Sequence, residues 1–468
     1  MKYLLFGAVF LPLVNCYKTE IKISNGKIRG LEKSNYISFE SIPYAEPPIG
    51  LNRFGPPKPY TQNWTDYFNA TSSPVDHSLP VMVYIHGGAF SWSSGGINRP
   101  DWIMDHGKMI LVTFNYRLGS LGFLTTEDDV IAGNMALKDQ QLALKWIRTN
   151  IEAFGGNTEQ IMLTGWSAGG ASVQFHLLSS KSRQYFTSAV SFSGSVLTPI
   201  RTPSPRETAK KLARILNCPV TEDSKQIKEC LISLPADKIV ECHKHFLKIF
   251  YNPFVVFGPI TENHSDHAFI TESVTNLMTK PTNIPWITSY TADDGVYASA
   301  EFMRLNENGR DYMSYLNENW EDIAPYLFFY HGLNKDEQNK ESKRLYKKYF
   351  GNGGISPFIW CSFECFCVCY IFNYPSPFGY GNLLSGRTDI NFGCGHGDEV
   401  LLLFKTKIRD SYPLSMEDRC IQKKLLDMLY EFASNRLPVY DGKPLPSNTP
   451  FQCEIQYFKV PNYTNELH

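Results

Sequence analysis

Ile161-Met162-Leu163-Thr164-Gly165-Trp166-Ser167-Ala168-Gly169-Gly170 reads as a short apolar strand, a serine bracketed by glycines, and the start of a helix continuing through Val173, Phe175, Leu177 and Leu178. This is the pattern of a nucleophile elbow: the turn is so tight that its flanks must lack side chains, and it pushes the serine Oγ out above the sheet. The first amides of the following helix have no intrahelical partner, so Ala168 N–H is a natural donor to negative charge developing at Ser167. A Gly-x-Ser-x-Gly match alone arises by chance in roughly one chain of this composition in six. A plain surface turn is therefore the competing reading, and the strand before and helix after Ser167 argue against it.

Upstream, Val81-Met82-Val83-Tyr84-Ile85 is a continuous apolar run, expected as a buried strand, and it ends in His86-Gly87-Gly88-Ala89-Phe90. Met109 to Phe114 forms a second such run, and Leu137 to Ile151 has helical periodicity with Leu142, Trp146 and Ile147 on one face. Downstream, Ala189 to Ser193 and Trp286 to Tyr290 read as strands, Phe366 to Phe372 as the last long one, and Arg206 to Leu216 and 417–434 as helices. Near the N-terminus, Ile21 to Ile23 and Lys27 to Gly30 alternate like a hairpin around Asn25-Gly26. Strands alternating with helices predict an α/β fold: a mostly parallel central sheet covered by helices on both faces.

The chain has 468 residues, 43% of them hydrophobic, and nothing divides it by linker, repeat or charge block. Lysine plus arginine (45) balance aspartate plus glutamate (46), so no overall field attracts nucleic acid or an acidic membrane. A small neutral ligand is the better expectation. Residues 1–16 carry one lysine, an apolar core to Val14, and Asn15-Cys16, and are read as a secretory signal peptide, leaving 17–468 as one domain. A buried N-terminal strand is the alternative reading of the same residues. No later stretch reaches transmembrane length. A secreted, extracellular location lets the ten cysteines beyond Cys16 oxidise, and Cys218 and Cys230, flanking a compact charged segment, are the first pair to bridge. Acceptor sequons at Asn63, Asn69, Asn263 and Asn462 fit the same route.

An elbow serine needs a base, and the base needs an orienting acid; in this sheet class they follow the serine in the order acid, then histidine. That order excludes His77, His86 and His106. Among later histidines, His396 lies in the glycine-rich turn Gly393-Cys394-Gly395-His396-Gly397, whereas His176, His243, His245, His264, His267 and His331 lie in helical or charged surroundings. Asp294 follows a strand end and precedes a glycine, while its neighbour Asp293 reads as a turn cap. Asp398 and Glu399 are too close to His396 in sequence to face it easily. The glycine turn at His86 to Phe90 suits a set of oxyanion-binding amides, though it would equally suit a plain strand end.

Taken together, Val81 to Phe90, Asn115-Tyr116-Arg117-Leu118-Gly119, Gly133-Asn134, Asp139-Gln140, Phe154 to Asn157, Gly165 to Gly170, Ser193-Gly194-Ser195 and Gly395 to Asp398 resemble the type-B carboxylesterases, cholinesterase-like α/β-hydrolases, and most of all the insect secreted esterases. The resemblance implies an α/β-hydrolase fold and ester hydrolysis through an acyl-enzyme, with Ser167, Asp294 and His396 as triad. It also implies Gly88, Ala89 and Ala168 as oxyanion donors, Ser193 as a supporting serine, and Cys218–Cys230 as a small disulfide loop. The substrate is then a small-molecule ester, with no metal and no organic cofactor.

Three segments depart from that pattern. Between Trp64 and Leu79 an expected sheet strand and cysteine pair are missing; from Gly351 to Cys369 glycines and Cys361, Cys365, Cys367 and Cys369 replace a helix and loop; and the chain after Arg436 is short. The cysteine spacing is too irregular and its surroundings too apolar for a metal site. Trp166 stands where cholinesterases carry a glutamate, and the segment that would bear a choline-stacking tryptophan is absent, which argues against acetylcholine. The rival readings are a catalytically silent adhesion-type relative with the same fold, and a lipase.

Overall fold

The computed structural model describes residues 5–12, 20–64, 78–197, 204–280, 282–310, 312–328, 330–350, 367–437, 439–440, 443–444 and 455–458. Its strands are β1 (Phe6–Pro12), β2 (Glu20–Ile23), β3 (Gly26–Arg29), β4 (Leu31–Glu32), β5 (Tyr36–Pro43), β6 (Leu79–Ile85), β7 (Ile110–Phe114), β8 (Gly156–Trp166), β9 (Ser188–Phe192), β10 (Trp286–Thr291), β11 (Cys367–Phe372), β12 (Val439–Tyr440), β13 (Lys443–Pro444) and β14 (Ile455–Phe458). Ten of them form one sheet in the order β14-β11-β10-β9-β8-β6-β7-β1-β5-β4.

From β7 through β14 every neighbouring pair is parallel. A parallel strand must be covered on both faces, which is why Val81 to Ile85 are all buried and read as an unbroken apolar run. Val83 and Ile85 face one core, with Leu163, Ala171 and Phe175; Met82 and Tyr84 face the other, with Met162, Phe404 and Leu429. Helices Met135–Asn150, Ala168–Leu178 and Met416–Asn435 cover the sheet where the helical periodicities predict them, within one or two residues at each end. The expected Asn25-Gly26 hairpin is the separate β2–β3 pair. β11 is the last long strand, and the four-residue β14 pairs with it in parallel on its outer side.

The other side of the sheet is antiparallel. β1, drawn from the residues read as a leader, pairs antiparallel with β7 on one side and with β5 on the other. Val9 and Leu11 are buried in one core and Phe10 in the other. At about 1.5–3 kcal/mol for each large apolar side chain buried, this strand is a substantial part of the sheet edge, and it alone joins β5 and β4 to the parallel half. A sheet strand expected from the resemblance between Trp64 and Leu79 is not among the described residues, of which 65–77 are not part; the neighbour of β7 comes instead from the N-terminus. Cleavage after Cys16 and retention of β1 are therefore mutually exclusive uses of one segment.

Cys218 and Cys230 form a disulfide, as expected, between helices Pro205–Ile215 and Ser224–Ser233. Two motif fragments that lie apart in sequence meet inside: Arg117 Nε and Nη2 donate to the two Asp139 carboxylate oxygens at 2.7 and 2.6 Å, and Arg117 N donates to Oδ2 at 3.0 Å. Burial pushes the Asp139 carboxyl up and the Arg117 charge opposes it. A bidentate pair of this kind satisfies donors that could not otherwise be buried.

Candidate active site

The chain runs β6, then β7 on one side, then crosses to β8 on the other, so the carboxyl ends of β6 and β8 flank a switch point where a cleft opens. Ser167 sits at the end of β8 with φ 57° and ψ −121°, before the Ala168–Leu178 helix. Its amide donates to Phe192 O at 2.9 Å, which ties the turn to β9. The flanking glycines are sterically required: a Cβ on Gly165 would run into the Gly169 backbone, and one on Gly169 into Ile85 O. The strained serine conformation of an elbow is thus held by backbone contact on both sides.

His396 Nδ1 lies 2.9 Å from Asp294 Oδ1, and Thr291 Oγ1 donates to the same oxygen at 3.0 Å. Asp293, the expected turn cap, does more: its Oδ2 accepts from Cys394 N at 2.9 Å and its own amide donates to Cys394 O at 3.0 Å, lacing the acid loop to the base loop. Desolvation pushes the Asp294 carboxyl up, but the His396 charge and the bonds from His396, Thr291 and Ser193 outweigh it and hold the group below its ordinary range. For His396 desolvation works toward the neutral ring, yet Asp294, with Glu399 and Asp398 behind it, holds the imidazole above its ordinary value. His396 is largely covered, with 12% of its side chain exposed, whereas 47% of the Asp294 side chain is open.

Asp398 and Glu399 do not bond the imidazole, in line with their closeness in sequence, but both are buried beside it. Asp398 Oδ2 accepts from Gly395 N and its Oδ1 from Tyr380 N, each at 2.7 Å. Glu399 Oε1 accepts from Ser193 Oγ and Ser289 Oγ, each at 3.2 Å. Burial pushes Asp398 up to about 6 and Glu399 up to about 7. Ser193 Oγ thus lies between the acid Asp294 and a buried second carboxyl, with one proton to give to either. Two other histidines are spent on structure: His176 bonds Ser182 and Gln140 at 2.9 and 3.0 Å, and His106 bonds Asp427 at 2.9 Å.

Ser167, Ala168, Ser193, Asp294 and His396 line one cavity of about 260 Å³, whose remaining wall includes Ala89, Phe90, Phe254, Val255, Tyr297 and Leu327. Gly88 and Ala89 both have positive φ, 104° and 50°, and the Gly88 carbonyl accepts from Ser91 N and Trp92 N at 2.9 and 3.0 Å, which fixes a tight turn beside the serine. Phe254, Val255, Tyr297 and Leu327 come from segments without a motif, and only the folded chain brings them to Ser167. Trp166 was legible as a departure from cholinesterases, but not its place against His396. Among the described residues no group of three or more histidine, cysteine, aspartate or glutamate side chains is placed to hold a metal, and no helix is long and apolar enough to cross a membrane. Asn63 and Asn263 are exposed, while Asn69, Asn462, Cys361 and Cys365 lie outside the described residues.

The model of the carboxylesterase family matches residues 17–76 and 73–460. This chain belongs to the carboxylesterase family. The esterase is 36% identical over 479 residues to Esterase P of Drosophila melanogaster, covering 89% of this chain and 88% of the relative. It is 35% identical over 476 residues to Esterase-5B of Drosophila persimilis, covering 88% and 87%. Among solved structures it resembles juvenile hormone esterase from Manduca sexta with OTFP covalently attached, at a TM-score of 0.76 and 22% identity over 94% of this chain and 95% of that one, a likeness of fold. Carboxylic ester hydrolysis is the reaction class of this esterase.

Proposed function

We propose that this carboxylesterase hydrolyses small, uncharged esters through an acyl-enzyme formed on Ser167. The observation that carries the reading is the His396–Asp294 pair at 2.9 Å, set with the elbow serine in one largely apolar cavity. His396 takes the proton of Ser167 Oγ as it attacks the ester carbonyl; Asp294 fixes the imidazole tautomer and stabilises its cation. Gly88, Ala89 and Ala168 amides receive the oxyanion, one such donor contributing about 3 kcal/mol to the transition state. His396 then protonates the departing alcohol, and water, activated by the same imidazole, releases the acid. Ser193 supports Asp294.

The cavity volume lies below the roughly 300–1,000 Å³ of drug-sized ligand sites, and its wall is aromatic and aliphatic. Both features favour short, neutral acyl groups over the long chains of a lipase substrate. p-Nitrophenyl acetate and butyrate are expected to exceed the palmitate in kcat/KM by at least ~10-fold. A preference for palmitate would move the reading to a lipase, and no hydrolysis by folded protein would move it to a silent binding module. We further propose that the protein is secreted, supported by the Cys218–Cys230 disulfide and the exposed Asn63 and Asn263 sequons. N-terminal sequencing of the exported protein decides whether residues 1–16 serve as a cleaved leader, leaving 17–468 as the mature domain, or stay in the sheet.

A further inference from the structure

Trp166 is the residue between Gly165 and the nucleophile, and its indole lies against the base: ring centroids of Trp166 and His396 are 5.4 Å apart with planes at 40°. The indole also stacks on Tyr380, at 4.8 Å and 24°. Gly397, directly after the base, has φ 86° and no room for a Cβ, because the indole fills that space. The imidazole also packs edge-to-face with Tyr297, at 5.1 Å and 76°. Among the described residues the buried indole Nε1 has no hydrogen-bond partner, so the ring acts here through its face and its shape.

We propose that Trp166 is a positioning residue for His396: an aromatic plate, fixed to the same turn as Ser167, that holds the imidazole between Ser167 and Asp294 and favours its cation. The inference rests on the acyl-transfer reading above. Its physical basis is twofold. Because plate and nucleophile are consecutive residues at the end of β8, one turn sets both Ser167 and the plate against which the imidazole rests, and misplacement by about 1 Å can cost ~100-fold in rate. A cation over the face of an aromatic ring within ~6 Å of its centroid is also attracted by the ring quadrupole, and the Trp166 centroid lies within that distance of the imidazole. The titratable groups facing the imidazole are Asp294 after β10, Tyr297 on helix Val296–Phe302, and Asp398 and Glu399 on its own loop and helix. β8 contributes the indole, an uncharged group, so the plate adds no competing carboxylate beside the base.

The test compares Trp166→Leu with Trp166→Phe in the full chain, reading kcat and KM on p-nitrophenyl butyrate and the His396 titration by imidazole NMR. Trp166→Leu is expected to lower kcat ~10- to 100-fold with KM within ~3-fold. It should also lower the His396 titration midpoint by about half a pH unit, and Trp166→Phe should restore most of both. Unchanged kcat and midpoint in Trp166→Leu, or a KM rise with kcat kept, would overturn the proposal. Should Trp166→Leu not fold, Tyr380→Leu, which removes the ring stacked on the plate, carries the same expectations. A wild type that neither hydrolyses esters nor reacts at Ser167 would sink the acyl-transfer reading, while the titration would still decide whether the plate favours the imidazolium.

Discussion

The parallel strands that carry the site and β1, the first strand of the antiparallel edge, are similarly apolar, yet only the former announce themselves. β6 and β8 are buried on both faces, but each ends in glycines next to a reactive or polar residue, His86-Gly87-Gly88 and Gly165-Trp166-Ser167. β1 is also buried on both faces toward its end and closes without such a signal. Its apolar run behind a single lysine at the N-terminus reads equally as the core of a leader. A strand covered on both sides and the core of a signal peptide meet the same demand, a short run without charge, so their sequences converge.

The comparison can be broken or sharpened experimentally, and the sharpest cut is on the catalytic side. His396→Gln should lower kcat by ~10⁴- to 10⁶-fold while leaving the melting temperature near wild type, measured by ester hydrolysis and calorimetry. Asp294→Asn should cost ~10²- to 10⁴-fold and move the acid limb of kcat/KM downward. The sign follows from the base: His396 must be neutral to act, and Asp294 holds its value above the ordinary imidazole range, so wild-type activity climbs with pH through a raised midpoint and the variant through a lower one.

On the structural side, Asp139→Asn should lower stability by ~3–5 kcal/mol, because it leaves the Arg117 guanidinium buried against a neutral amide, and should barely change kcat of the folded fraction. Val9→Asp is expected to destabilise the purified protein by ~3 kcal/mol in urea unfolding, since it places a charge in a fully buried sheet position. No effect, together with a mature N-terminus at residue 17, would return residues 1–16 to the leader reading. The smallest expected change is Ser193→Ala, ~10-fold or less in kcat, from loss of one hydroxyl lying between Asp294 and Glu399.

Much of this was readable from the chain because tight turns restrict residue choice. Gly165 and Gly169 are backbone contacts, Asp294 follows the end of β10, and His396 lies in a glycine-rich turn before helix Asp398–Leu403, so local residue choice and chain order point to them. Arg117 and Asp139 were visible only as motif fragments; their pairing is tertiary. The cavity wall of Phe254, Tyr297 and Leu327 left no local trace, because an apolar residue lining a cleft and one filling a core are written alike. Glu399 escaped for a different reason. Its closeness to His396 in sequence argued against contact with the ring, correctly, and hid a role reached through Ser193 and Ser289.

The central claim is that Ser167 is an activated nucleophile, and covalent labelling tests it most directly. The folded protein should take up one fluorophosphonate per chain, with the modified peptide mapping to Ser167, and Ser167→Ala and His396→Gln should label at a small fraction of that rate. Folded protein that does not label, or labelling that survives Ser167→Ala, would contradict the account.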